Sequence, residues 1–277
     1  MIENRLSGTN KTLVAEWGLA LHIEFNEHSI LFDTGASGAF AHNAEQLSVN
    51  LASVDTTVLS HHHYDHGGGL RRFFKVNGNS KVYLGKAPDG ECFVKALLFI
   101  KKYVGLDQSL ISDFPARFST VDKPCEILPN VFVLPNISGN HPRPIGNARL
   151  MVRRDGKFLP DDFSHEIVMA IKENNQLVIF TGCSHSGILN MIDTVAHQFS
   201  GVPIKAVIGG FHLVSAPPSN GMAGSKEAVE LLGTKVLEYP VGHTYTGHCT
   251  GTKAFAVLET VMGDRLTDLV TGSRFEI

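Results

Sequence analysis

Short apolar runs separated by glycine and polar turns set the rhythm of this 277-residue chain. Residues 12–15 and 19–25 alternate apolar and polar side chains on either side of Gly18, and Ser29-Ile30-Leu31-Phe32 follows closely. This pattern predicts two or three half-buried strands with an antiparallel start. A helix is expected over 37–49, a buried strand over 56–59, a helix over 70–76 and a strand over 81–85. Strand–helix alternation of this kind argues for a layered α/β architecture. Eight prolines between Pro88 and Pro160 then break the rhythm. Within that stretch 91–103 predicts a helix that offers Phe93, Leu97, Phe99 and Ile100 for packing, 131–134 reads as a strand, and 139–146 is turn-rich. The segments 86–120 and 136–164 read as insertions over a site, inside one domain spanning 1–277; the alternative is an excursion that never meets a substrate.

Beyond 164 the pattern resumes. Residues 167–171 and 177–180 predict a hairpin, followed by a helix over 188–199, a buried strand over 205–208 and a loop over 217–221. A helix over 226–237 capped by Ser225, a strand over 244–246, a helix over 252–261 and a last strand near Leu269 complete the chain. The second half echoes the first, so two sheets stacked face to face with helices outside, an αββα sandwich, is the expected fold.

The stretch that organises this frame is Ser60-His61-His62-His63-Tyr64-Asp65-His66, followed by Gly67-Gly68-Gly69 at the carboxyl end of the 56–59 strand. His61, His63, Asp65 and His66 form a His-x-His-x-Asp-His pattern. Imidazole and carboxylate together suit zinc, iron or manganese better than magnesium or calcium. His61 and His63 can reach one ion, Asp65 and His66 a second. Two adjacent ions can activate water and clamp both oxygens of a displacement. The plain alternative is a solvated histidine run, yet this one is internal and bracketed by a strand and a glycine turn.

Three further histidines stand just after short apolar strands and beside glycine or serine: His185 in Thr181-Gly182-Cys183-Ser184-His185, His212 in Gly209-Gly210-Phe211-His212, and His248 in Tyr245-Thr246-Gly247-His248. Convergence of strand ends is what a coordination shell needs; taken singly, each could be a core histidine bonded through its second nitrogen. Asp33, at the end of the 29–32 strand, reads as a turn aspartate that caps the 37–49 helix.

Net charge of -3 gives no broad electrostatic reason for nucleic-acid binding. The basic pairs Arg71-Arg72, Lys101-Lys102 and Arg153-Arg154 read mostly as solvated faces, one of which could hold a substrate phosphate. No apolar run approaches the ~18 residues of a membrane span, and the N-terminus carries no secretion-signal pattern. Four cysteines without CxxC spacing fit reduced thiols in a cytoplasmic protein.

The metal-loop pattern, with Thr181–Ile188, Gly209–Leu213 and Tyr245–Gly251, resembles the metallo-β-lactamase superfamily, in the branch of metal-dependent hydrolases labelled dihydropterin ribofuranosyl-aminobenzene phosphate synthase. The resemblance implies an αββα sandwich of two mixed sheets holding two divalent metal ions, zinc by preference and manganese or iron as alternatives. It implies His61, His63 and a third histidine for one ion, and Asp65, His66 and His248 for the other. Cys183 falls where a bridging residue is expected, in place of the common aspartate, and a thiolate there would favour zinc. His185 is preferred as the third histidine, with His165 as the alternative, and Asp33 would support the loop. His63 stands where di-iron oxygen reductases of the superfamily carry glutamate, which points to hydrolytic chemistry. Asp65 would orient the nucleophile and His212 would move a proton or bind a phosphate. The expected activity is hydrolysis of a phosphoester or cyclic ester. The alternatives are a synthase joining a dihydropterin to an aryl ribofuranosyl phosphate, with stacking on Phe93, Phe99, Tyr103 or Phe163, and a non-catalytic metal sensor. The expected partner is a small molecule, phosphorylated or pterin-like.

Overall fold

The computed structural model describes residues 2–6, 12–96, 100–215 and 221–277. Two mixed sheets form its centre. One runs Leu21–Phe25, His28–Phe32, Thr56–Leu59, Lys81–Gly85, Phe118–Val121, antiparallel at the first pair and parallel thereafter. The other has seven strands in the order Leu266–Asp268, Val241–Thr246, Ile204–Ile208, Gln176–Phe180, Val168–Glu173, Val131–Leu134, Cys125–Leu128. Its first four strands are mutually parallel and the remaining pairs antiparallel.

Period-two alternation assigns each side chain its layer. Ile30, Phe32 and Val58 point between the sheets and meet Val133, Met169, Val178 and Phe180. Leu31 and Leu59 point outward, against the helices Ala39–Gln46 and Leu70–Val76. Ile179 and Val207 likewise face the outer helices Ile188–Gln198, Lys226–Glu238 and Thr252–Met262. The αββα sandwich is therefore the observed fold. Phe32 and Phe180 lock the layers with ring centroids 6.1 Å apart, and truncating either ring to alanine should cost about 3–5 kcal/mol. The hairpin between 168–173 and 176–180 turns on Asn174 and Asn175, both left-handed at φ 49° and 57°, the conformation a two-residue turn demands. Ser225 caps its helix as expected, its side chain accepting the Ala228 N–H.

Three local expectations fail. Residues 91–103 are not a helix: they hold the strands Glu91–Lys95 and Lys101–Tyr103, while Leu97 and Phe99 lie outside the described residues. Cys92 and Val94 are buried and their neighbours are not, so period two prevails over the i, i+4 spacing of the aromatic and aliphatic residues. With Leu150–Arg154 and Lys157–Pro160 these strands make a separate antiparallel four-stranded sheet. Residues 118–121, 125–128 and 131–134, in contrast, belong to the main sheets, so the 86–164 stretch also builds the core. The 12–15 segment is not a strand; Asn43 pins it instead, bonding both the N–H and the carbonyl of Val14. Asp33 caps no helix, since Gly38 occupies the N-cap of Ala39–Gln46 without a side-chain bond. The expected loop at 217–221 falls largely outside the described residues.

Candidate metal centre

The fully buried strand Thr56–Leu59 delivers the chain to Ser60, where the metal loop begins. Asp33, held at φ 58°, directs its carboxylate under that loop. Its Oδ1 accepts the Ser60 N–H at 2.8 Å, and its Oδ2 accepts the Ser60 hydroxyl at 2.8 Å and pairs with His66 Nδ1 at 2.6 Å. Because the Ser60 proton goes to Asp33, Ser60 Oγ is left to accept from His61 Nδ1 at 2.9 Å. That tautomer leaves the His61 Nε2 lone pair free. Gly182 packs against the same serine: a Cβ there would lie 2.1 Å from Ser60 Oγ.

Two clusters of donor atoms result, each with all its donor atoms within 4.8 Å of one another. The first is His61, His63 and His185. The Nε2 atoms of all three are buried and have no hydrogen-bond partner among the described residues. An unpaired buried polar atom costs about 1–3 kcal/mol, and three on one point are what a cation would satisfy. His185 follows the Gln176–Phe180 strand. Glu166 fixes it from behind, accepting the N–H groups of His185 and Ser186, each at 2.7 Å. Asn147 Oδ1 pairs with His185 Nδ1 at 3.0 Å, and the Phe163 ring stacks on the imidazole at 4.5 Å and 7°. Burial, then the neighbouring histidines, hold His61 and His185 well below the usual imidazole range and push His63 down to about 3. All three are neutral ligands in waiting.

The second cluster is Asp65, His66, Cys183 and His248. His66 Nε2 lies 3.2 Å from both Cys183 Sγ and His248 Nε2, and Asp65 Oδ2 lies 3.5 Å from His248 Nε2. His248 sits at the end of Val241–Thr246 at φ 48°. Its N–H donates to Glu3 Oε1 at 2.5 Å, and its Nδ1 pairs with Asn4 Oδ1 at 3.0 Å. Left-handed backbone at a non-glycine residue persists only when its surroundings over-determine it. Burial opposes charge on His66, but Asp33 and Asp65 overcome it and raise the imidazole to about 9. Burial likewise opposes the Asp65 carboxylate, yet His66 and His248 hold it below the usual carboxylate range.

His165 is not placed with either set. Its Nδ1 accepts the His62 N–H at 3.2 Å and its Nε2 faces Asp161 Oδ2 at 3.4 Å, in a separate group with His63 and Cys92. The histidine grouped with both His61 and His63 is His185. Cys183 reaches the second cluster but also neighbours Cys249 and His212 in a further group of donors. His212, at φ 48°, has neither ring nitrogen bonded among the described residues, and its ring lies 4.2 Å from that of His185. Among the proposed stacking residues, Phe163 is buried against His185, and Phe93 packs edge-on to Tyr103 and Phe158. The supporting residues Glu3, Asn4, Asn147 and Glu166 carry no motif in the sequence; each is a single polar residue far along the chain from the ligand it orients.

Imidazole, carboxylate and thiol donors, with three orphaned nitrogens at one point, fit a pair of divalent cations. The two clusters are consistent with a dinuclear divalent-metal cofactor and form the kind of centre typical of metal-dependent hydrolases built on this fold. The chain belongs to the metallo-beta-lactamase superfamily, whose family model matches residues 19–187. It is 30% identical over 264 residues to the 7,8-dihydropterin-6-methyl-4-(beta-D-ribofuranosyl)-aminobenzene-5'-phosphate synthase of Methanocaldococcus jannaschii, covering 90% of this chain and 85% of that one. Among solved structures it is similar to Tm1679, a metal-dependent hydrolase of the beta-lactamase superfamily, with TM-score 0.78 and 25% identity over 100% of this chain and 96% of that one. Zn(2+)-bound PqqB from Methylobacterium extorquens shares the fold, with TM-score 0.54 and 10% identity over 93% of this chain and 87% of that one.

Proposed function

We propose that this chain is a metal-dependent synthase that joins a dihydropterin, activated by an oxygen leaving group on its 6-methyl carbon, to the amine of a ribofuranosyl-aminobenzene phosphate: the amine nitrogen bonds to that carbon as its C–O bond breaks and the amine loses a proton. The observation that carries this reading is the 30% identity to the archaeal synthase along 90% of the chain, with both donor clusters assembled at one buried point. It is preferred over simple hydrolysis of a phosphoester or cyclic ester. The hydrolase reading draws its support from the likeness to Tm1679, and both would use the same site. Bound divalent ions, zinc by preference, would supply Lewis acidity and draw negative charge onto a departing oxygen.

The chain's own residues would do the rest. His61, His63 and His185 would hold one ion, and Asp65, His66 and His248 the other, with Cys183 at hand between the second cluster and Cys249. Asp65 would also orient the incoming nucleophile. His212, with both nitrogens unbonded, would donate a proton to the leaving oxygen. The buried site suits a small-molecule substrate. The four-stranded sheet of residues 91–103 and 150–160 would shape its entrance, since its connection to the metal loop is direct: Tyr64 N–H donates to the Val104 carbonyl at 2.9 Å.

The test is metal analysis followed by two assays on the same sample: condensation of an activated dihydropterin with ribofuranosyl-aminobenzene phosphate, and a panel of phosphodiesters and lactones. Two metals per chain with the condensation product supports the synthase. Two metals with phosphodiester turnover alone moves the reading to the hydrolase. No metal after reconstitution overturns both.

A further inference from the structure

A cavity of about 160 Å³ opens beside the second cluster, and His248 forms part of its lining. Trp17, the chain's only tryptophan, stands at its rim. Its side chain remains 40% exposed, tilted over His248 at 5.2 Å between ring centroids. Phe255 and Val214 line the cavity as well. A single exposed apolar residue is ordinary, but this one is fixed against the metal loop. Leu19 N–H donates to the Asp65 carbonyl at 3.2 Å and Gly18 N–H to Asn4 Oδ1 at 3.2 Å. Gly18 itself has no room for a side chain, since a Cβ there would lie 2.6 Å from the Asp65 carbonyl oxygen. Asn4 in turn holds both the ring and the carbonyl of His248. The tryptophan is therefore pre-positioned with respect to a metal-cluster residue. Among the described residues no acidic side chain lines the cavity, while Arg5 does, its guanidinium paired with Asp268.

We infer that this cavity is the subsite for a planar aromatic ring of the substrate, with Trp17 as the residue that selects the ring by stacking. A half-exposed aromatic plane beside a concave site recognises another plane with little loss of freedom. The inference deepens the synthase reading and, for the dihydropterin, rests on it. A flat ring on Trp17 would lie in the cavity that His248 also lines, beside the second donor cluster.

The sole tryptophan makes the test direct. Metal-loaded protein is titrated with 7,8-dihydropterin, phenylphosphonate and methylphosphonate, following tryptophan fluorescence and calorimetry together. The two ring compounds should change Trp17 fluorescence saturably, and methylphosphonate should not quench it. Trp17→Ala should weaken both ring compounds roughly ten-fold or more and leave methylphosphonate within about two-fold, whereas Trp17→Phe should stay within about three-fold for all, the scale of ring stacking on an aromatic side chain. Retained metal content shows that the variants fold. Ring compounds that bind wild type and Trp17→Ala alike, with fluorescence unmoved, overturn the inference while dihydropterin binding leaves the synthase reading standing. Phenylphosphonate behaving as expected without any dihydropterin binding keeps the ring subsite and removes the pterin. If neither ring compound binds wild type, both fall.

Discussion

The two donor clusters lie side by side but are prepared for a cation in opposite ways. At His61, His63 and His185 three imidazoles converge with their Nε2 atoms unbonded, and each is kept neutral by burial and by the others. At Asp65, His66 and His248 a carboxylate and two imidazoles already contact one another, and Asp33 holds a proton on His66. The first cluster is a void of charge; at the second, His66 keeps one proton on the Nδ1 that meets Asp33 and, with its imidazole raised to about 9, a second on the Nε2 that faces the cluster. A cation entering the first displaces nothing, whereas one entering the second must compete with the His66 proton. The clusters should therefore respond differently to mutation and to pH.

The largest effect belongs to the only carboxylate of the pair. Asp65→Ala should remove one of two metal equivalents and lower turnover by about 10²–10³-fold, the scale of losing a charge aimed at a reacting centre. Elemental analysis beside a rate assay checks it; full activity with two metals bound would remove Asp65 from the site. His212→Gln should fall near the lower end of the proton-transfer scale, about 10²-fold, with metal content unchanged. Loss of metal in that variant would recast His212 as a ligand, alongside Cys183 and Cys249.

Next comes the support beneath the loop. Asp33→Asn keeps the shape but removes the charge that holds His66, so metal affinity at the second cluster should drop about 10–100-fold. The first cluster should retain its metal, because Asp33 reaches His61 only through the Ser60 hydroxyl. Competition with a chromophoric chelator would resolve the two sites.

The clusters also predict opposite pH limits for the metal-free protein. His66 is raised to about 9, so its contribution is complete below the unfolded value near 6.5 and is lost as pH climbs through 9. His61, His63 and His185 are depressed, His63 to about 3, so the unfolded chain binds the extra protons and stability falls as pH drops from about 6.5 toward 3. Thermal stability of the metal-free protein should thus peak near pH 6.5 and decline by on the order of 3 kcal/mol on the alkaline side. Metal should flatten the alkaline limb and release a proton on binding at the second cluster. A stability profile unchanged between pH 7 and 9 without metal would contradict the charged state of His66.

How far the chain disclosed this in advance follows from where its ligands lie. Four of them fall within six consecutive residues, so chemistry and spacing coincide, and the strand ends at His185 and His248 could be recognised by their glycines. The apolar periodicity was sufficient for the two main sheets, because residues such as Ile30, Leu31 and Phe32 are buried on both faces and leave little ambiguity. It misled at 91–103, where Cys92 and Val94 are the buried residues among those described and aromatic spacing imitates a helix. The supporting shell was illegible. Glu3 and Asn4 meet His248 across more than 240 positions, and Glu166 meets His185 through backbone N–H groups that any sequence possesses.

The smallest effect separates the two clusters most sharply. His66 is backed by a carboxylate, but His185 is backed by a neutral amide: Asn147 Oδ1 pairs with its Nδ1 and Asn147 Nδ2 donates to its carbonyl at 2.7 Å. An amide fixes the tautomer and the ring angle without adding basicity. Asn147→Ala should therefore cost the first cluster no more than about 10-fold in metal affinity, the lower bound for such partners, since Phe163 and Glu166 still hold the ring and its backbone. Asn147→Asp sharpens the contrast. It returns the acceptor with a charge and removes the donor to the His185 carbonyl, making this histidine resemble His66. If charge behind the imidazole is what distinguishes the clusters, the variant should hold a proton on His185 near neutral pH, and metal uptake at its first cluster should become pH-dependent where the parent's first cluster is not. Uptake by Asn147→Asp that tracks the parent across pH 6–9 would mean that burial among the other histidines, rather than the partner at Nδ1, sets the state of this cluster.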